Sequence, residues 1–260
     1  MSSPNFNHVS LEIRGNIAVF QLCRPTKRNA LSDTVMADLE RAMASMGTQV
    51  KAAVIHGAGE HFCAGLDLSE LSERDAVQGL HHSRSWHFIL EKLQFGRIPF
   101  VAAIHGACVG GGLELASACH VRVADESAFF AFPEGSRGIF VGGGGSVRVP
   151  KLIGEHRMMD MMLTGRVYKA AEGVPLGFAQ YLVPTGDALT KAIALAERIA
   201  TNAPMTNYAL IQALPRICEQ SNSNGLFMES LMATVTQSAE EAKAGVRAFL
   251  EGRGPKVKAD

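Results

Sequence analysis

The chain has 260 residues, 25 of them basic and 25 acidic, so its formal net charge is zero. A neutral balance lacks the basic field that broad nucleic-acid binding requires, although a local patch for one phosphorylated ligand is still possible. Hydrophobic residues at 47% and charged residues at 19% describe an ordinary globular chain, long enough to bury about three quarters of its unfolded surface without staples.

The elements follow in chain order. Ile17 to Cys23 is apolar and β-branched and predicts a strand, broken by Pro25. Ser32 is placed to cap a helix over 33–46, where Val35, Leu39, Ala42, Met43 and Met46 recur near a 3.6 period. Lys51 to His56 predicts a second buried strand, ended by Gly57 and Gly59. His81 to Phe95 reads as a helix carrying Trp86, Ile89, Leu90 and Leu93 on one face, and Pro99 stops it. Phe100 to Ile104 is the next strand, Gly112 to Cys119 a short apolar helix, and Val121 to Ala124 a further strand. Alternation of strand and helix is the signature of a wound α/β core. Beyond about residue 140 helices dominate, over 155–163, 187–201, 204–219, 225–237 and 239–250, with Pro204 suited to a first helical turn. The tail residues Leu226, Phe227, Met228, Leu231, Met232 and Val235 exceed what one helix face hides, so they predict either a subunit contact or intrachain core.

Cys23, Cys63, Cys108, Cys119 and Cys218 are odd in number and contain no C-x-x-C pair, which argues against a disulfide framework and a zinc site. Reduced thiols point to a cytoplasmic protein. The amino-terminal stretch has no apolar run of the signal-peptide kind, and no apolar stretch approaches the roughly twenty residues of a membrane span. No carboxylate or cysteine completes a ligand set around His81, His82 and His87, so no metal is expected. Ser136 and Ser146 lack a G-x-S-x-G setting.

The chemistry concentrates in two glycine-bearing turns, His61–Leu68 (HFCAGLDL) and His105–Glu114 (HGACVGGGLE), each placed after an apolar strand. Such turns leave backbone N–H groups pointing outward, and two converging N–H groups can hold a carbonyl oxygen as it gains negative charge. Leu66, after the first turn, and Gly111, at the second, are the expected donors, the latter aided by the positive end of a helix. Tight strand–helix packing alone is the other reading of Gly110–Gly112. Glu114 could merely complement a helix dipole, yet its neighbours Leu113, Leu115 and Ala116 predict burial, and a buried carboxylate seldom lacks a task. Glu134, in the turn Pro133-Glu134-Gly135, is either its partner or an exposed loop acid. Two carboxyls whose acidities are pushed apart can act as base and acid. The run Gly142–Gly145 lacks the lysine of a phosphate loop and reads as a close-packed helix start near the pocket.

Taken together, RPTKRNAL (24–31), FCAGLDL (62–68), AIHGACVGGGLELA (103–116), FPE (132–134) and LTGR (163–166), in this order and spacing, resemble the crotonase (enoyl-CoA hydratase/isomerase) superfamily over nearly the whole chain. The resemblance implies an α/β fold, a β-β-α spiral core over 1–200 holding an acyl-CoA site, and a helical oligomerisation region over 201–260 that builds a homotrimer or a homohexamer. It implies that the amides of Leu66 and Gly111 form the oxyanion hole for a thioester. Glu114 and Glu134 match the two glutamates of the hydratases, Lys27, Ala64, Asp67 and Leu68 lie along coenzyme A, and Phe249 matches a tail phenylalanine that reaches it. Gly252 stands near the expected tail lysine, with Arg253 beside it. No prosthetic group is implied; the substrate comes as a coenzyme A thioester. Residues 133–148, 82–87 and 158–167 are similar to the methylthioacryloyl-CoA hydratase branch, which takes a short sulfur-bearing acyl group. Thioester hydrolysis, double-bond isomerisation on the same scaffold, or a non-catalytic RNA-binding relative are the rival expectations. Retention of both glutamates and the neutral charge favour hydration.

Overall fold

The computed structural model describes residues 6–70 and 74–253, which form two compact units, 1–200 and 201–260. In the first unit the strands are β1 Val9–Arg14, β2 Ile17–Leu22, β3 Ala52–Gly57, β4 Phe100–Ile104, β5 Ala107–Val109, β6 Val121–Asp125, β7 Phe129–Ala131, β8 Tyr168–Lys169 and β9 Tyr181–Val183. The helices are α1 Asp33–Ser45, α2 Ala76–Gln94, α3 Gly111–Ala118, α4 Gly145–Ile153, α5 Glu155–Thr164, α6 Ala170–Leu176 and α7 Ala188–Ala200.

A six-stranded sheet runs in the order β1-β2-β3-β4-β6-β9, parallel except for the β1–β2 hairpin. Its inner strands are covered on both faces, which is why they read as continuous apolar runs rather than alternating ones. Alternate residues divide between two cores. Ile17, Val19, Ala52, Val54, Val101, Ala103 and Val123 face helix α7, whose Ala188, Ala192, Ala196 and Ala200 recur every fourth residue and are small enough to let the helix lie close. Ala18, Phe20, Leu22, Ala53, Ile55, Phe100, Ala102 and Ile104 face the other way, into a core shared with α1, α2 and α3.

A second sheet, β5-β7-β8, explains the spiral. The chain leaves β4 for β5 and then forms α3; it leaves β6 for β7. β4 neighbours β6 in the large sheet, while β5 neighbours β7 in the small one. Two bridges extend the same repeat upstream, since Cys63 pairs with Cys108 and Leu31 with Leu66. Each turn thus adds one strand to the large sheet and one extended segment beside it. The fold is the crotonase-like β-β-α spiral.

Ser32 caps α1 through a 3.2 Å hydrogen bond from the Val35 amide, as read from the sequence. Helix α2 begins at Ala76 rather than near His81, because Asp75 and Gln78 form a reciprocal capping box. The second unit contains α8 Pro204–Gln212, α9 Leu214–Ile217, α10 Asn222–Ser238 and α11 Glu240–Leu250. The single helix expected over 204–219 is interrupted at Ala213, because Pro215 has no N–H to continue the α8 ladder and its ring opposes the carbonyl four residues back. Leu226, Phe227, Leu231 and Val235 of α10 are exposed. Among the described residues no helix is long and apolar enough to cross a membrane.

Candidate active site

The spiral brings the two glycine-bearing turns side by side. Leu66 and Gly111 occupy corresponding places on adjacent turns, each three residues beyond one member of the Cys63–Cys108 bridge. A Cβ built on Gly111 would lie 3.4 Å from the Leu66 amide nitrogen, and one on Gly65 would lie 3.3 Å from the Gly111 nitrogen. The two amide nitrogens therefore lie near one another. Neither donates to an acceptor among the described residues; the neighbouring amides do, Gly110 to the Ala131 carbonyl at 2.9 Å and Asp67 to the Leu31 carbonyl at 2.7 Å. Gly111 opens α3, so its free N–H also carries the positive end of that helix.

Gly110 adopts φ +52°, and any side chain there would meet Glu134 Oε1 at 2.5 Å. The triple glycine is thus more than a packing device. It lets one carboxylate and one amide approach the same spot. The Trp86 ring closes the space, its Cζ3 lying 3.5 Å from the point a Gly111 Cβ would occupy. Trp86 is held by a 2.9 Å bond from its indole N–H to Asp33 Oδ1, and Arg74 pairs with the other oxygen of Asp33 at 2.9 Å.

Glu114 and Glu134 are both buried, at 4% and 8% exposure, which sets aside the exposed-loop reading of Glu134. Their surroundings differ. Glu114 Oε1 accepts two backbone hydrogen bonds, from Gly143 and Gly145, each 2.8 Å long. Glu134 rises from the turn after β7, and its Oε2 is buried with no partner among the described residues. Burial raises the pKa of Glu114 above the ordinary carboxyl value, while the two amides and Arg148 oppose that rise. Burial, with the charge of Glu114 added, pushes Glu134 up to about 7. Donors therefore receive the Glu114 carboxylate, while burial favours the protonated form of Glu134.

The residues of the first unit expected along coenzyme A form one neighbourhood. Lys27 is exposed on the turn Pro25–Lys27, and the Arg28 carbonyl that follows accepts from the Ala64 amide at 2.9 Å. Leu68 is 45% exposed. The Asp67 carboxylate is engaged by the Ser69 hydroxyl at 2.8 Å and by Arg24 at 2.9 Å, which hold it below the usual carboxyl range. Phe249 is exposed on α11 in the second unit. No group of three or more potential metal ligands is present among the described residues. Reading the sequence did not foresee the grip of Gly143 and Gly145 on Glu114, nor the part of Arg148 and Asp33. The tetraglycine run before a helix was the available signal.

The match to known proteins agrees with this geometry. The enoyl-CoA hydratase/isomerase family model matches residues 12–260. The chain is similar to the 2,3-dehydroadipyl-CoA hydratase of Escherichia coli, at 33% identity over 93% of this chain and 95% of that one. It is 30% identical to the short-chain-enoyl-CoA hydratase of Clostridium acetobutylicum, over 95% and 96% of the two chains. Among solved structures, a candidate enoyl-CoA hydratase from Rhodopseudomonas palustris superposes with TM-score 0.93 at 56% identity, covering 97% of this chain and 98% of that one. The chain belongs to the enoyl-CoA hydratase/isomerase family, the crotonase superfamily.

Proposed function

We propose that this chain adds water across the 2,3 double bond of a short-chain enoyl-CoA thioester, with Glu114 as base and Glu134 as acid. The chain is an enzyme of the enoyl-CoA hydratase class, a carbon–oxygen lyase. The observation that carries the mechanism is the contrast between the two carboxyls. One oxygen of Glu114 is held by two amides, whereas Glu134 keeps a buried, unpartnered oxygen beside it.

The steps follow from that contrast. The thioester oxygen accepts from the Leu66 and Gly111 amides, which polarise the conjugated system, each donor being worth about 3 kcal/mol to a developing oxyanion. The Glu114 carboxylate takes one proton from a water held between the acids, and the oxygen of that water bonds to Cβ. The π electrons move to the thioester oxygen, forming an enolate in the hole. The enolate collapses as Cα takes the proton of Glu134. The surplus proton on Glu114 then returns to Glu134 through exchange with solvent after product leaves. Activity requires Glu134 protonated, so it falls as pH rises through about 7, and falls again on the acid side where Glu114 gains a proton.

The acyl group is short, and 3-methylthioacryloyl-CoA is the specific substrate proposed. The similarity of residues 133–148 to that branch supports it. Hydration at its thioether-bearing carbon gives a hemithioacetal, which breaks down to methanethiol and an aldehyde. Coenzyme A lies along Lys27, Ala64, Asp67 and Leu68, with Phe249 as its tail contact. The exposed apolar residues of α10 and α11 support a homotrimer or homohexamer assembled through residues 201–260. Five free thiols support a cytoplasmic setting.

The test is a set of acyl-CoA thioesters with product identification, including crotonyl-CoA and 3-methylthioacryloyl-CoA, for the wild type, Glu114→Gln and Glu134→Gln. Each variant is expected to lose about a hundredfold or more in kcat. Near-normal turnover in either variant, or free CoA as the first product, defeats the proposal.

A further inference from the structure

The run Gly142–Gly145 binds no phosphate motif, yet it surrounds two side chains. A Cβ at Gly143 would meet Glu114 Oε2 at 2.7 Å, and one at Gly145 would meet Glu114 Cγ at 3.0 Å. Gly144, at φ +98°, would drive a side chain into Arg148 Nη1. The loop is a thin backbone wall between a carboxylate and a guanidinium.

Three successive peptides make up that wall. The first, between Gly142 and Gly143, accepts from the Ser83 hydroxyl at 2.7 Å and donates its N–H to Glu114. The third, between Gly144 and Gly145, donates its N–H to the same carboxylate oxygen. The middle one offers its carbonyl to Arg148 Nη1 at 3.0 Å. Arg148 is itself fixed, because its Nε donates to Gln94 Oε1 at 2.6 Å. A guanidinium can satisfy both partners from one rigid fork, which an ammonium cannot.

We propose that Arg148 is a positioning residue for hydration: locked by Gln94, it holds the middle peptide of the wall so that the amides on either side keep the Glu114 carboxylate aimed at the reacting water. The inference rests on the reading of Glu114 as the base. A half-buried guanidinium that touches a loop of four glycines removes the freedom those glycines would otherwise have. Its charge also favours the ionised form of Glu114. The other groups facing this centre are Glu134 across the site, Glu91 and His87 from α2, and Cys119 at the end of α3. Burial holds His87 below its ordinary value, so it is neutral near pH 7 and adds no charge of its own there.

The test compares wild type, Arg148→Gln, Arg148→Lys and Gln94→Leu with crotonyl-CoA over a pH series. Arg148→Gln is expected to lower kcat about tenfold or more while KM stays within about twofold, since a donor set used in the transition state is loosened. The acid limb of the profile should move up by about half a pH unit, because a carboxylate losing a nearby cation and a firm donor gains its proton more easily. Arg148→Lys should bring that limb back toward the wild-type position without restoring kcat. An unmoved acid limb, or a loss confined to KM, overturns the inference. If Arg148→Gln does not fold, Gln94→Leu decides by a smaller shift of the same limb in the same direction or by its absence. Glu114→Gln separates the two levels. Full activity in that variant removes the base itself, whereas its inactivity with an unmoved Arg148→Gln limb removes only the role given to Arg148.

Discussion

Replacing Glu134 by Gln should make the protein more stable at alkaline pH while it abolishes turnover. Folding raises the Glu134 carboxyl from 4.5 to about 7, so the folded state binds this proton more tightly than the unfolded state does. The stabilising contribution is complete below pH 4.5 and is lost as pH rises through about 7. At roughly 1.4 kcal/mol per unit, the wild type carries a penalty of about 3 kcal/mol above neutrality. Glutamine has nearly the same shape and does not titrate. The stability difference between variant and wild type should therefore be near zero at pH 4.5 and reach about 3 kcal/mol by pH 8 to 9. Urea unfolding of both proteins across that range, at one fixed protomer concentration, measures the difference, and titrating groups not coupled to Glu134 cancel from it. Part of the shift comes from the charge of Glu114, so the gain should shrink in a Glu114→Gln background. A difference that stays flat with pH would falsify the electrostatic reasoning, because it would mean that Glu134 titrates as an ordinary carboxyl.

Two further outcomes follow from named contacts. Gly111→Ala places a methyl group 3.4 Å from the Leu66 nitrogen, at a helical position where alanine is not strained, so kcat/KM should fall about a hundredfold while the urea midpoint holds. An equal loss of midpoint and activity would assign the glycine to packing alone. Ser32→Ala removes the side-chain acceptor of the Val35 amide and should cost about 1 kcal/mol of stability, read by urea unfolding, with kinetics unchanged. A change within a few tenths would show that solvent replaces the cap.

Much of the scaffold was legible residue by residue. The inner strands of the large sheet declared themselves because burial on both faces demands unbroken apolar runs, and Phe100–Ile104 has the bounds expected of it. Helices α1, α5, α7 and α11 followed from spacing and caps within a residue or two. The strands β5, β7 and β8 did not, since two or three residues hold too little pattern and their hydrogen bonds come from distant turns of the spiral. Helix α4 was visible only as a glycine-led start, because Gly145 and Pro150 depress its local preference.

The same division runs through the site. That Glu114 is buried could be argued from its apolar neighbours, and that Leu66 and Gly111 offer outward amides could be argued from the turns. Local pattern carries that information because each statement concerns a residue and those beside it. Which acid holds the charge was decided elsewhere. The Gly143 and Gly145 amides lie 29 and 31 residues beyond the carboxylate they hold, and Arg148 is oriented by a glutamine 54 residues before it. Acidity depends on the distance and dielectric between groups, and only folding of the spiral sets both.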